Sequence, residues 1–277
     1  MPTPPAYAPT VAIAYDFDDT LAKKDMFSYA VPSLQVDIDT LQADMRRIPG
    51  EVRGDALLIV LYLLVAHAKK AGMPITRAML TDIGKHMEPF PGLPEYFPRL
   101  NHYAAKRGIT LEHYVISSNL REILEGTPVA PYFKRIFGSA FLYDANGEAC
   151  WPAVSLNYTG KTQFLYRISK GCLEEHDSRG VNAQMPPVER PIPFPNIIFI
   201  GDGYTDIPAM ALTREKGGHS FAVYDPDAKN REKVARELEE QSRVDAALPA
   251  DYREGSALDA ALKAIIDSVA ANCDDRL

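Results

Sequence analysis

Val11-Ala12-Ile13-Ala14-Tyr15-Asp16-Phe17-Asp18-Asp19-Thr20-Leu21 begins as an apolar run and then meets three carboxylates within four residues. The run lacks apolar/polar alternation, the pattern of a strand buried on both faces, as in a parallel sheet covered by helices. Three acids crowded at one strand end repel one another and lose solvation, so something must compensate them. A bound divalent cation is the usual compensation, and hard oxygen ligands suit Mg2+. Taken alone, the same residues also read as a solvated turn that caps the next helix.

Similar runs recur along the chain. Residues 114–116 precede Ser117, residues 197–200 precede Gly201-Asp202, and residues 221–224 precede Asp225. Helix-like segments lie between them, at residues 93–106 and 229–242. This alternation predicts an α/β fold, a Rossmann-like parallel sheet core with right-handed crossovers, whose ligands sit at the carboxyl ends of the strands. Gly201-Asp202-Gly203-Tyr204-Thr205-Asp206 ends one such strand. Its glycines permit a tight turn, and the spacing lets Asp202 and Asp206 face one point as a helix begins. A helix cap accounts for one acid there, but not for two acidic clusters at two strand ends. Ser117, and Lys161 in Tyr158-Thr159-Gly160-Lys161-Thr162, offer a hydroxyl and an ammonium suited to phosphoryl oxygens. Either alone also reads as an ordinary surface residue.

The gap from the first strand to residue 114 is too long for one crossover helix. Within it, residues 34–47, 55–71 and 76–86 read as helices. Pro49-Gly50, Gly72 and Pro74 punctuate them, and Pro89, Pro91-Gly92 and Pro94 bracket the return. The expectation is a helical cap domain, residues 24–91, joined by two adjacent linkers to a core domain of residues 1–23 and 92–277. A smaller insertion follows Ser117. Residues 141–143, the turn Asp144-Ala145-Asn146-Gly147 and a run towards Tyr158 read as a β-hairpin. Residues 174–195, polar and proline-rich, read as a long surface loop.

With 277 residues and 46% hydrophobic content, the chain can bury a sizeable core. A net charge of −7 without a long basic run argues against a nucleic-acid partner. Cys150, Cys172 and Cys273 are scattered, without metal-ligand spacing, which suits a reducing compartment. Residues 56–66 are too short an apolar stretch to span a membrane, and MPTPPAYAPT lacks the basic and apolar segments of a leader. The expected location is the cytoplasm, with no membrane partner; oligomeric state is not readable.

The order of the four signals resembles the haloacid dehalogenase (HAD) superfamily of phosphohydrolases. Members carry a DxDx[TV] segment after the first strand, a Ser or Thr after the second, a later Lys and a GDGxxxD-type loop. The helical insertion is similar to the cap of the subgroup that includes phosphoserine phosphatase. Phe90-Pro91-Gly92 and Ala250-Asp251-Tyr252 resemble stretches of uncharacterised bacterial HAD-like hydrolases. The resemblance implies a Mg2+-dependent phosphatase with Asp16 as nucleophile and Asp18 as general acid and base. It places Mg2+ on Asp16, the Asp18 backbone carbonyl, Asp202 and Asp206, the last directly or through a water. Ser117 and Lys161 would grip the phosphoryl group of a small phosphorylated metabolite, and Thr20 would support the Asp16 turn. Asp18 separates this pattern from the dehalogenases proper, which lack it and need no metal. The same residues also serve a phosphomutase or a non-catalytic phospho-ligand-binding module. Cap-region lysines (Lys23, Lys24, Lys69, Lys70, Lys85) leave phosphonate hydrolysis open.

Overall fold

The strand that opens the chain, β1 (Thr10–Tyr15), lies at the centre of a seven-stranded sheet in the computed structural model, which describes residues 8–33 and 37–274. The other strands are β2 (Thr110–Leu120), β3 (Arg135–Tyr143), β4 (Ala149–Val154), β5 (Ile197–Gly201), β6 (His219–Tyr224) and β7 (Ala246–Pro249). Their spatial order is β4-β3-β2-β1-β5-β6-β7. All neighbours pair in parallel except β3 and β4, which form an antiparallel hairpin. The absence of alternation in β1 has its cause here. Val11, Ile13 and Tyr15 enter one core, while Ala12 and Ala14 enter the other. In β5, Ile198 and Ile200 face the first core and Ile197 and Phe199 the second. Each such large aliphatic or aromatic side chain contributes about 1.5–3 kcal/mol by leaving water.

Helices cover both faces. Four lie between β1 and the return to the sheet: α1 (Met26–Ser33), α2 (Ile38–Val52), α3 (Ala56–Lys70) and α4 (Arg77–Lys85). The remainder are α5 (Tyr96–Ala105), α6 (Arg121–Gly126), α7 (Gly160–Lys170), α8 (Ser178–Asn182), α9 (Ile207–Glu215), α10 (Arg231–Glu240) and α11 (Ala257–Asp274). Phe97, Leu100, Leu262 and Ile266 bring α5 and α11 onto the Val11 face. Phe164, Ile168, Met210 and Leu238 bring α7, α9 and α10 onto the other. None of the described helices is long and apolar enough to cross a membrane.

The chain leaves and re-enters the sheet through a short ribbon. Phe90 N donates to Leu21 O at 3.0 Å, and Lys23 N to Glu88 O at 3.0 Å. The inserted helices also dock elsewhere. A Cβ on Gly84 of α4 would lie 2.0 Å from the Ile123 carbonyl oxygen of α6, and one on Gly126 would lie 2.1 Å from that of Thr81. Two glycines thus let these helices meet backbone to backbone. The hairpin joins in: Ala149 N donates to Ile75 O at 2.8 Å, and Trp151, half-exposed, sets its ring edge-on to Tyr62 of α3.

Some expectations need correction. Pro49-Gly50 does not end a helix, because α2 runs through it to Val52. Pro49 gives up one hydrogen bond within α2, and Arg53, with φ 51°, turns the chain out and donates its N–H to Pro49 O. That helix begins at Ile38, capped by Asp37, while residues 34–36 of the expected segment lie outside the described residues, as do residues 1–7. Residues 174–195 are not a plain loop. They include α8 and wrap around Arg167, whose guanidinium donates to the carbonyls of Glu174, Glu175 and Asp177 at 2.7, 2.9 and 3.1 Å.

Candidate active site

β1 and β5 are parallel neighbours in a register that pairs Tyr15 with Ile200, so both strands end at one level. Asp16 and Asp202 therefore leave the sheet side by side, and Asp16 N donates to Ile200 O at 2.8 Å. Lys161, the second residue of α7, is fully buried beneath them. Its Nζ lies 2.8 Å from Asp16 Oδ2 and 2.6 Å from Asp206 Oδ1. Asp206 stands immediately before α9, and its Oδ2 accepts from Asp202 N at 3.2 Å. This fold-back requires a glycine at 201, since a Cβ there would lie 2.3 Å from Asp206 Oδ2. Asp16 Oδ1 accepts from Phe17 N at 2.7 Å.

One ammonium thus pairs with two carboxylates, and a third, Asp202, stands beside them. Burial alone would pull Lys161 down, but Asp16 and Asp206 overcome it and raise its pKa. Burial, then Asp16, push Asp206 up to about 7 against the pull of Lys161. Burial, then Asp206 and Asp16, push Asp202 well above the carboxylate range. Asp16, Asp202 and Asp206 each offer an oxygen within 4.8 Å of the others. Such a cluster of hard, incompletely neutralised oxygen donors fits Mg2+.

Asp18 points elsewhere. Its Oδ1 accepts from Asn119 Nδ2 at 2.7 Å and its Oδ2 from Met26 N at 3.3 Å, so its carboxyl group stands apart from the cluster of three. Burial, then Asp16, raise its pKa well above the usual range. Ser117 is buried on β2, two residues past the Val115 that pairs with Tyr15, and its Oγ accepts from Asn119 N at 3.2 Å. Thr20 does not support the turn through its hydroxyl, which is buried without a partner among the described residues. Its carbonyl instead accepts from the Tyr252 hydroxyl at 2.8 Å.

Two residues escape sequence reasoning. Asn119 reaches Asp18 across 101 residues, and no local spacing marks it. Arg231, at the start of α10, pairs with Asp202 Oδ2 at 3.0 Å and with Asp19, whose φ of 55° turns its carboxylate towards the guanidinium. Arg46 and Arg47 are spent on α2 itself, bonding to Gln42 and to Asp44 and Glu51. Below the turn, Tyr15 OH meets Tyr96 OH at 2.8 Å and His113 Nδ1 at 2.9 Å, while His113 Nε2 meets Asn101 Oδ1 at 2.9 Å. An amide oxygen at Nε2 makes that nitrogen a donor, and burial, which holds the His113 pKa down to about 3, keeps the ring neutral, so Nδ1 accepts from Tyr15.

A family model described as haloacid dehalogenase-like hydrolase matches residues 13–211. An uncharacterized protein of Borreliella burgdorferi is 22% identical over 275 residues, spanning 90% of this chain and 93% of that one. Among solved structures, a HAD family hydrolase from Salmonella enterica serovar Typhi superposes with a TM-score of 0.57 at 17% identity, over 88% of this chain and 68% of that one. A phosphoserine phosphatase in its apo form gives 0.57 at 16% identity, over 88% and 96%. At such identities these structures speak for the fold alone.

Proposed function

Because the chain belongs to the haloacid dehalogenase-like hydrolases, we propose that it is a Mg2+-dependent phosphomonoester hydrolase that forms an aspartyl-phosphate on Asp16. The observation that carries this reading is the buried Lys161, bonded at once to Asp16 and Asp206 beside Asp202. An ammonium held there offsets the charge of the nucleophile and of an incoming phosphoryl group.

An Asp16 carboxylate oxygen attacks phosphorus as the P–O bond to the leaving group breaks, and Asp18 delivers its proton to the departing oxygen. Asp18 then takes a proton from the water that attacks phosphorus. The bond from phosphorus to Asp16 breaks, and inorganic phosphate leaves. Held by Asp16, Asp202, Asp206 and the Asp18 backbone carbonyl, Mg2+ would supply positive charge to the phosphoryl oxygens. Ser117 and Lys161 orient that group. Residues 24–91 act as the cap that excludes water and reads the leaving group, over a core of residues 1–23 and 92–277. The substrate is a small phosphorylated metabolite met in the cytoplasm, a class consistent with the phosphoserine phosphatases among the fold's neighbours. Lys23 bonds Glu88 at 2.6 Å, which raises its pKa, the opposite of what a Schiff-base lysine in phosphonate hydrolysis needs.

The test is phosphate release from p-nitrophenyl phosphate and a panel of alkyl phosphates, with Mg2+ and with EDTA, for wild type and Asp16→Asn. Metal-dependent release abolished by the substitution is expected. Release that survives it excludes Asp16 as nucleophile, and a wholly inert wild type excludes hydrolysis. Independently of turnover, Mg2+ at 100 times its Kd should stabilise the fold by about 2.7 kcal/mol, visible in a melting curve.

A further inference from the structure

The geometry points to Asn119 as the positioning residue of the general acid, a role that rests on the hydrolase reading above. Asn119 fixes the Asp18 carboxyl group through Oδ1 and leaves Oδ2 as the oxygen that exchanges protons with the leaving group.

Four observations converge on it. The bond from Asn119 Nδ2 to Asp18 Oδ1 is 2.7 Å, whereas Oδ2 has only the longer 3.3 Å contact from Met26 N. One oxygen is thus held by a short donor and the other is loosely held. Second, Asn119 is fully buried and its own Oδ1 has no partner among the described residues. A buried amide with half its capacity unused costs stability that an apolar side chain of similar volume would avoid. Such a violation of local rules is expected where function requires the group. Third, the ladder between β2 and β3 slips at this point: Ile116 pairs with Phe137, but Leu120 pairs with Ser139, so β2 carries two extra residues across Ser117–Asn119. Bulges of this kind re-aim side chains. Fourth, the partner strand accepts the bulge through Gly138, where a Cβ would lie 2.9 Å from the Asn119 carbonyl oxygen. The distortion that turns Asn119 towards Asp18 is therefore built into two strands.

In the first half of the reaction the proton on Asp18 Oδ2 passes to the ester oxygen as its bond to phosphorus breaks. Asn119 keeps the carboxyl plane fixed throughout. In the second half the same oxygen receives the proton of the attacking water. Esters differ in how much they need that first proton. An alkoxide leaves poorly without it, whereas p-nitrophenolate is a stable anion.

The experiment compares kcat/KM, which ends at departure of the alcohol, for p-nitrophenyl phosphate and for the best alkyl phosphate of the panel. It uses wild type, Asn119→Leu and Asn119→Ala. The expected result is a loss of about 30-fold or more on the alkyl ester with a loss below about 3-fold on p-nitrophenyl phosphate. The ratio of the two is measured on one preparation, so a fraction of misfolded variant cancels. Equal losses on both esters, or none, would overturn the role of Asn119 while leaving the hydrolase intact. A wild type inert on both removes the hydrolase reading itself and this role with it.

Discussion

Two acidic turns meet at the carboxyl end of the sheet, one after β1 and one after β5, and they differ in the partners of one acid. The acids of the second turn rest on cations: Asp206 on the Lys161 ammonium, Asp202 on the Arg231 guanidinium. In the first turn, Asp16 shares that lysine and Asp19 that arginine, but Asp18 rests only on neutral donors, the Asn119 amide and the Met26 N–H. The tyrosines and the uncharged His113 beneath the turn add no charge either. A carboxyl group with neutral partners can gain or lose a proton without breaking an ion pair, whereas an adjacent ammonium pulls a carboxyl group towards its anion. The contrast separates a group suited to proton transfer from groups suited to binding positive charge.

The strongest test of this contrast removes the cation. Lys161→Met leaves Asp16 and Asp206 buried without compensation, with an expected loss of about 3–5 kcal/mol in urea denaturation in EDTA, together with all turnover. A loss below about 1 kcal/mol would mean that the lysine is not what holds the second turn. Next comes the neutral support of the first turn. Burial holds His113 down to about 3 in the folded protein, against about 6.5 unfolded. Its pKa is depressed on folding, so its contribution is complete above pH 6.5 and is lost as pH falls towards 3. Between pH 6.5 and 4 the expected decline is about 3 kcal/mol. It is read as the difference in pH dependence between wild type and His113→Leu, and identical slopes would contradict it. Third, Gly201→Ala forces Asp206 away from its fold-back, with an expected loss of about 100-fold in turnover. Normal kinetics in that variant would show that the second turn tolerates displacement. Smallest is Arg231→Gln, because the guanidinium is 40% exposed. The expected change is below about 1 kcal/mol at low salt and nothing measurable at high salt.

β1 and β5 are legible because burial on both faces leaves no alternation, and their acids because two clusters at two strand ends exceed what helix caps explain. β2 read as three residues rather than its full length because Glu112, His113 and Asn119 look polar in sequence. In the fold, Glu112 bonds Lys134, and His113 and Asn119 are paired inside. β7 was missed because Ala246–Pro249 is short and lacks β-branched residues. α1 was missed because Pro32 sits within a helix of eight residues. Of the site, the residues carried by motifs were readable. Asn119 and Arg231 were not, since their meaning arises from a strand bulge and from a helix start that tertiary packing alone brings to the carboxylates.

The backbone contact of α4 with α6 gives the inserted helices a mechanical connection to the chemistry. α6 starts at Arg121, two residues after Asn119, and its Gly126 is locked against Thr81 of α4. Helices that touch backbone to backbone cannot slide past each other without shifting both chains. The α4–α6 contact therefore ties the inserted helices to the stretch of chain that carries Asn119. On the proposed mechanism, a tilt of these helices would pull on the segment that orients the Asp18 carboxyl group.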